Sequence, residues 1–141
     1  MTNTVSQIKS YSSILIISGL LLGALFSTAS LQAQDTSAGK TVTQKKFQRL
    51  MNKKNTVLLD VRTSDEFKSG HIPGSLQIDV LNAADFKKQV ASFDKNKKYL
   101  LYCRSGKRSS RAKVLMEEMG FTKLYDLDGG FSKWTGKKEL K

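Results

Sequence analysis

Short apolar runs alternate with amphipathic stretches along most of this 141-residue chain. The runs are short and rich in branched residues, which is typical of buried strands. The predicted strands are 41–42, 56–61, 75–80, 98–102 and 123–127. Strands separated by helices form a parallel sheet covered on both faces. The pattern therefore predicts an α/β domain with a central, mostly parallel five-stranded sheet and helices on both faces.

Capping residues predict where the intervening helices begin and end. Thr63 with Glu66 three residues later is a capping-box pattern, and Asn82 is a predicted N-cap. Ser109 is predicted to be the N-cap of the helix after the fourth strand, and Gly120 its C′ residue.

Cys103 is the only cysteine of the chain and directly follows the predicted strand 98–102. In open parallel sheets, ligands bind beyond the carboxyl ends of the strands. A thiolate is favoured by nearby cations and by the N-terminus of a helix, and both are predicted to lie beside this residue. The position therefore predicts a reactive thiol rather than a buried inert one.

The residues after Cys103 form a short basic loop that can surround an anion. Gly106 allows backbone conformations closed to other residues, so several N–H groups can point inward. Arg108 can donate two hydrogen bonds to one oxyanion, and Ser105 and Ser109 can each donate a hydroxyl. Arg104 and Lys107 are expected to face outward and meet an incoming anion.

A thiolate held in such a loop can carry sulfur. Attack of the Cys103 thiolate on a sulfane sulfur gives a persulfide, which keeps the same charge and the same hydrogen-bond donors. A second nucleophile then removes the terminal sulfur, so the cycle is a double displacement with a covalent intermediate.

Several stretches together resemble the rhodanese family of sulfurtransferases. Residues 103–108 resemble the active loop of that family. The other stretches that carry the resemblance are 59–62, 66–67, 70–75, 127–130 and Trp134. They occur in the family's order and spacing and span about residues 40–134.

The resemblance implies a single rhodanese-like domain, assigned to residues 41–141. It implies Cys103 as the persulfide-carrying nucleophile and 104–108 as the substrate-binding loop. It also implies a small anionic sulfur donor, with a thiol, cyanide or a protein as acceptor. No metal and no organic cofactor is implied.

Other polar residues are predicted to support the loop rather than to react. Asp60 and Arg62 end the second strand at the same edge of the sheet as the loop, with Glu66 as a candidate partner of Arg62. Ser109, directly after the loop, is a further candidate for its support. The single histidine, His71, lies in a turn and is predicted to be structural. Trp134 is predicted to belong to the core.

The first 33 residues have the order of a secretory signal peptide. Lys9 is their only charged residue, the stretch 14–26 is almost wholly apolar, and small residues follow it. The run is short for a membrane span, which needs about 20 residues. We therefore predict a periplasmic or secreted protein without stable membrane insertion after cleavage, with a flexible lead-in at 34–40. The alternative is an uncleaved membrane anchor.

The net charge of +12 suggests nucleic acid or an anionic membrane as a candidate partner. The lysines are scattered as pairs, however, and the sequence has neither zinc-finger spacing nor an aromatic-rich RNA-binding motif. The charge is better explained by a solvated basic surface, which argues against a nucleic-acid partner.

Two other functions remain open at this point. One is a non-catalytic or partner-dependent module that carries sulfur to another protein. The other is a small phosphatase or arsenate reductase. Phosphatases related to the rhodanese family have a loop one residue longer, so the length of 103–108 favours sulfur transfer.

Overall fold

The computed structural model describes residues 39–140, in which strands and helices alternate. The predicted signal peptide and most of the predicted lead-in lie outside these residues. Within them, no helix has the length and apolar character needed to cross a bilayer. The elements are β1 Gly39–Val42, α1 Gln44–Met51, β2 Thr56–Asp60, α2 Ser64–Lys68, β3 Leu76–Gln77, α3 Ala83–Val90, β4 Lys98–Tyr102, α4 Lys107–Glu118, β5 Leu124–Leu127 and a 3₁₀ turn Phe131–Lys133.

The five strands form one sheet in the order β1-β5-β4-β2-β3. Every pair of neighbouring strands is parallel, which confirms the predicted five-stranded α/β sheet. β4 is the middle strand, so the loop that follows it emerges at the centre of one edge of the sheet.

Successive residues of the strands pack against helices on opposite faces of the sheet. On β4, the buried Leu101 belongs to a cluster with Met116 of α4. The preceding residue, Leu100, belongs to a second cluster with Phe47 of α1 and with Trp134. Full burial of a side chain of this size contributes roughly 1.5–3 kcal/mol. Both predictions, helices on two faces and a core position for Trp134, are confirmed.

Two predicted boundaries were wrong. β1 begins at Gly39, so Gly39 and Lys40 belong to a strand paired with β5 rather than to a flexible lead-in. β3 is only two residues long, although 75–80 was predicted as a strand. Ile78 and Val80 are still buried and still donate to the carbonyls of the chain at the end of β2, but outside a regular ladder.

The predicted helix signals at α2, α3 and the end of α4 are confirmed. Thr63 and Glu66 form a complete capping box, each side chain accepting from the other's backbone N–H. Asn82 accepts from the N–H of Asp85 at the start of α3. Gly120 follows α4 with a φ of 88°, a left-handed conformation that suits glycine.

Candidate active site

Cys103 lies directly after β4, and its thiol is enclosed by the turn that leads into α4. The residue is 1% exposed. The N–H of Gly106 donates to its Sγ at 3.1 Å, and the Ser109 hydroxyl lies 3.5 Å from the same atom. Gly106 adopts a φ of 104°, and this left-handed conformation turns its N–H toward the sulfur.

The predicted N-cap position of Ser109 was wrong, although its hydroxyl does lie beside the sulfur. Gly106 is the N-cap of α4, so the helix begins at Lys107 and Ser109 is its third residue. The reason is the left-handed turn at Gly106, which starts the helix before the serine is reached. Ser109 is therefore fully buried, and its hydroxyl also lies 3.0 Å from the carbonyl of Gly106.

The surroundings of Cys103 stabilise the thiolate. Burial alone would raise the pKa of the thiol. Hydrogen bonds from the Ser109 hydroxyl and from the N–H groups of Ser109, Ser105 and Gly106 outweigh burial and lower the pKa of Cys103 below its ordinary value. The direction agrees with the predicted reactive thiol.

Arg108 is held by a carboxylate. Its two terminal nitrogens each donate to an oxygen of Glu66 at 2.6 Å, a bidentate pair between α4 and α2. The predicted pairing of Glu66 with Arg62 was therefore wrong, because Arg62 is already bound to Asp60. To bind an oxyanion of a substrate, as predicted, Arg108 must share or leave Glu66.

Asp60 and Arg62 form a buried ion pair behind the loop. The Nε of Arg62 donates to Asp60 Oδ1 at 2.9 Å, and its Nη2 donates to the carbonyl of Gly70 at 2.7 Å. Asp60 is 0% and Arg62 4% exposed. The guanidinium lies 4.2 Å from the centre of the Phe131 ring. The pair thus packs against the segment that holds the loop.

That segment, 130–132, binds the backbone of the loop directly. The N–H of Phe131 donates to the carbonyl of Cys103 at 2.8 Å, and the N–H of Ser132 donates to that of Arg104 at 2.9 Å. A Cβ on Gly130 would lie 2.5 Å from the Cys103 carbonyl oxygen. Because these hydrogen bonds hold the two carbonyls toward the segment 130–132, the N–H groups that follow in the loop remain available to bind Cys103 Sγ. No site role was predicted for this segment from the sequence.

The remaining loop side chains face solvent. Arg104, Ser105 and Lys107 are exposed, as predicted for the two cations. His71 is held elsewhere: its ring stacks on Phe67, and its Nε2 lies 3.1 Å from Glu139 Oε1. This geometry supports a structural role for the histidine.

The Glu66–Arg108 pair predicts a pH-dependent contribution to stability. Hydrogen bonds from Arg108 hold the pKa of Glu66 at about 2, below the ordinary 4.5. A depressed pKa stabilises the fold above the unfolded value, and the contribution is lost as pH falls from about 4.5 to about 2. We expect Glu66→Gln to lower the free energy of unfolding by about 1–2 kcal/mol at pH 7, and by much less at pH 2.

Urea unfolding at the two pH values measures this difference. Glutamine can still complete the capping box, so the substitution isolates the charge. Glu118→Gln is a matched control, because Glu118 pairs with an exposed lysine, Lys87, and is expected to change stability by at most about 0.5 kcal/mol. An equal loss for both variants at pH 7 would contradict the prediction.

Comparison with known proteins places this loop in a family. A family model described as Rhodanese-like domain matches residues 43–137. The chain belongs to the rhodanese-like family. The match includes every element from α1 to the 3₁₀ turn, and therefore the whole candidate site.

Curated relatives of this rhodanese-like chain have several names. It is 36% identical over 102 residues to the uncharacterized protein YqhL of Bacillus subtilis (strain 168), covering 72% of this chain and 77% of that protein. It is 36% identical over 84 residues to the thiosulfate sulfurtransferase GlpE of Pseudomonas savastanoi pv. phaseolicola, covering 60% and 76%. The chain spans only 29% and 31% of two matching tRNA uridine(34) hydroxylases, from Pelagibacter ubique and Cytophaga hutchinsonii.

Solved structures agree with the rhodanese-like fold. The crystal structure of a rhodanese-like domain protein from Staphylococcus aureus is similar with a TM-score of 0.61 and 28% identity. The match covers 72% of this chain and 98% of that one.

Proposed function

We propose that this rhodanese-like protein is an exported sulfurtransferase. It moves sulfane sulfur from thiosulfate or a persulfide to a thiol or cyanide, with Cys103 as the carrier. The observation that carries the proposal is the enclosure of Cys103 Sγ by the Gly106 N–H and the Ser109 hydroxyl. The similarity to a thiosulfate sulfurtransferase supports it.

The first half of the cycle loads the enzyme. The Cys103 thiolate attacks the outer sulfur of thiosulfate with its lone pair, and a new S–S bond forms. The S–S bond within thiosulfate breaks, and sulfite leaves with that electron pair. The persulfide keeps one negative charge on its terminal sulfur, within reach of the N–H groups that held the thiolate.

The second half returns the thiol. A cyanide or thiolate acceptor attacks the terminal sulfur, and the Cys103 thiolate leaves with the pair of the broken S–S bond. Thiocyanate or a new persulfide is released. The two displacements transfer one neutral sulfur atom, so no external oxidant or reductant is needed.

Two exposed cations are suited to bind the donor. Arg104 and Lys107 are solvent-exposed on either side of Gly106, in the loop that encloses the sulfur. A doubly charged donor such as thiosulfate is attracted by this field, whereas Arg108 is already neutralised by Glu66. The sulfonate of thiosulfate is therefore expected to bind Arg104 and Lys107 first.

A partner-dependent sulfur carrier is the second candidate, and the state of Arg108 favours it. The side chain best suited to bind a small oxyanion is engaged by Glu66. A protein donor that presents a persulfide does not need that side chain. The carrier function therefore predicts a persulfide on Cys103 but little turnover with small donors.

Export of the protein can be tested separately from sulfur transfer. The N-terminal segment 1–33 has the order of a signal peptide, which supports a periplasmic or secreted location. Expression of the whole chain in a bacterial host, followed by fractionation and intact mass, tests it. A processed mass in the periplasmic fraction is expected, and a full-length mass in the membrane fraction would favour the anchor.

Intact mass also tests sulfur transfer. After exposure to thiosulfate, the protein is expected to gain the mass of one sulfur on Cys103 and to release sulfite. Cyanide should remove that mass and yield thiocyanate. Sulfate, which has no sulfane sulfur, is the matched control. A mass gain without turnover would indicate the carrier, and no gain from thiosulfate or from a low-molecular-weight persulfide would contradict both functions.

A further inference from the structure

The carboxylate of Glu66 is fixed by its own helix as well as by Arg108. Its Oε2 accepts from the N–H of Thr63 at 3.3 Å and from the Thr63 hydroxyl at 3.2 Å. The same oxygen accepts from Arg108 Nη1 at 2.6 Å, and Oε1 accepts from Arg108 Nη2 at 2.6 Å. Glu66 is therefore held at the N-terminus of α2, and it cannot follow Arg108 toward a ligand without breaking the capping box.

Arg108 lies beside the loop that encloses the sulfur. It is the second residue of α4, and the N-cap of that helix, Gly106, donates to Cys103 Sγ at 3.1 Å. The charges of Arg108 and Cys103 also interact. The side chain is therefore in a position to affect the binding of an anion in the loop.

The pairing with Glu66 makes Arg108 a poor binding group for an anion from solution. Both terminal nitrogens of the guanidinium are engaged, and the carboxylate cancels its charge. The side chains of Arg108 and Glu66 are only 22% and 30% exposed, so water and salt screen their attraction less than that of a surface pair. An oxyanion that binds the terminal nitrogens must displace a bidentate, charge-assisted pair.

The two classes of sulfur donor differ in their need for a guanidinium. Thiosulfate carries its sulfane sulfur on a sulfonate, and sulfite leaves with a double negative charge, so transfer from thiosulfate is favoured by a free guanidinium near the leaving group. A persulfide, R–S–SH, has no oxyanion at its reacting end, and its leaving group is a thiolate with a single charge. The pairing of Glu66 with Arg108 therefore disfavours thiosulfate more than a persulfide.

We propose that Glu66 is a specificity-determining residue: by engaging Arg108, it makes Cys103 accept sulfur from a persulfide in preference to thiosulfate. The Cys103 thiolate attacks the terminal sulfur of R–S–SH, a new S–S bond forms, and the S–S bond of the donor breaks. The thiolate R–S⁻ leaves with that electron pair, and the terminal sulfur keeps its proton, so no oxidant or reductant is needed. This choice of donor rests on the proposed sulfur transfer.

The test compares two donors in Glu66→Gln. Glutamine has one acceptor oxygen, and its NH₂ group faces the second guanidinium N–H, so one terminal nitrogen of Arg108 is released. Intact mass followed over time gives the second-order rate constant for loading of Cys103. We expect the constant for thiosulfate to rise about tenfold. The constant for the persulfide of β-mercaptoethanol is expected to change by about twofold or less.

Equal changes for the two donors would indicate a merely structural effect of the substitution and overturn the proposal. A wild-type protein that loads faster from thiosulfate than from the persulfide also overturns it.

Two further variants separate the release of Arg108 from a general effect of charge. Asp79→Asn removes a charge that also acts on Arg108 but leaves the bidentate pair in place, and its rate with thiosulfate is expected to rise by about twofold or less. In the double variant Glu66→Gln/Arg108→Ala, the net charge equals that of the wild type and the gain is expected to disappear. A gain in Asp79→Asn equal to that in Glu66→Gln, or a gain kept in the double variant, overturns the proposal. Urea unfolding establishes that each variant is folded under the assay conditions.

Binding of sulfate tests the release of Arg108 without any sulfur transfer. Protection of Cys103 against alkylation by iodoacetamide is measured at constant pH and ionic strength. The sulfate concentration that gives half protection is expected to fall about tenfold in Glu66→Gln. An unchanged concentration overturns the inference. Tighter sulfate binding in a protein that neither donor loads with sulfur would instead contradict the proposed function.

Discussion

Replacement of Cys103 by serine is expected to abolish sulfur transfer while leaving the protein folded. A serine hydroxyl is not ionised near neutral pH and cannot accept a sulfane sulfur, so no covalent intermediate forms. Loss of a nucleophile of this kind typically lowers the rate by about 10³-fold or more. Sulfite release from thiosulfate, followed together with the intact mass, measures the effect.

The fold of this variant serves as its own control. Serine is close to cysteine in shape and can still accept from Gly106 and donate to nearby carbonyls, so the free energy of unfolding is expected to change by about 1 kcal/mol or less. Retention of turnover in a folded Cys103→Ser protein would show that Cys103 is not the nucleophile. Loss of folding would instead show that the thiol is a structural member of the loop.

The second large effect is expected at the buried pair behind the loop. Asp60→Asn keeps the size of the side chain but leaves the guanidinium of Arg62 buried without its counter-charge. Removing one partner of a buried ion pair costs about 3–5 kcal/mol. This is a large part of the total stability of a domain of this size, so a strongly reduced urea midpoint is expected.

A surface aspartate in the following helix is the matched control. Asp65 is 98% exposed and lies 3.9 Å from Lys68, so Asp65→Asn is expected to change stability by about 0.5 kcal/mol or less. Arg62 packs on Phe131, and Phe131 binds the carbonyl of Cys103. The folded fraction of Asp60→Asn is therefore also expected to load sulfur more slowly. A loss of stability no larger than that of Asp65→Asn would show that the pair is not needed.

Much of the fold could be predicted because its signals are local. The capping box at Thr63 and Glu66 and the cap at Asn82 depend on residues three positions apart, and both were found as predicted. The apolar run of β4 was predicted with its bounds because all but its first residue are buried. The short β3 was overestimated because Ile78 and Val80 are buried without continuing the ladder.

The start of α4 shows where local reasoning is insufficient. Ser109 is a favoured N-cap residue, and nothing beside it in the sequence excludes that role. In the fold, Gly106 takes a left-handed conformation three residues earlier, and this brings its N–H onto Cys103. The same left-handed turn at Gly106 therefore both encloses the sulfur and starts the helix.

The residue types of the loop were enough to predict a reactive sulfur with cations around it. A thiol, a glycine and basic residues at the end of a strand indicate this chemistry without any long-range contact. Tertiary structure alone decided which partner each charge takes. Glu66 and Arg108 are 42 positions apart, and Phe131 meets Cys103 from 28 positions away. Such pairs form only when the parallel sheet brings the ends of strands that are far apart in sequence to one edge. The hydrophobic periodicity of the sequence does not indicate which of these residues will be in contact.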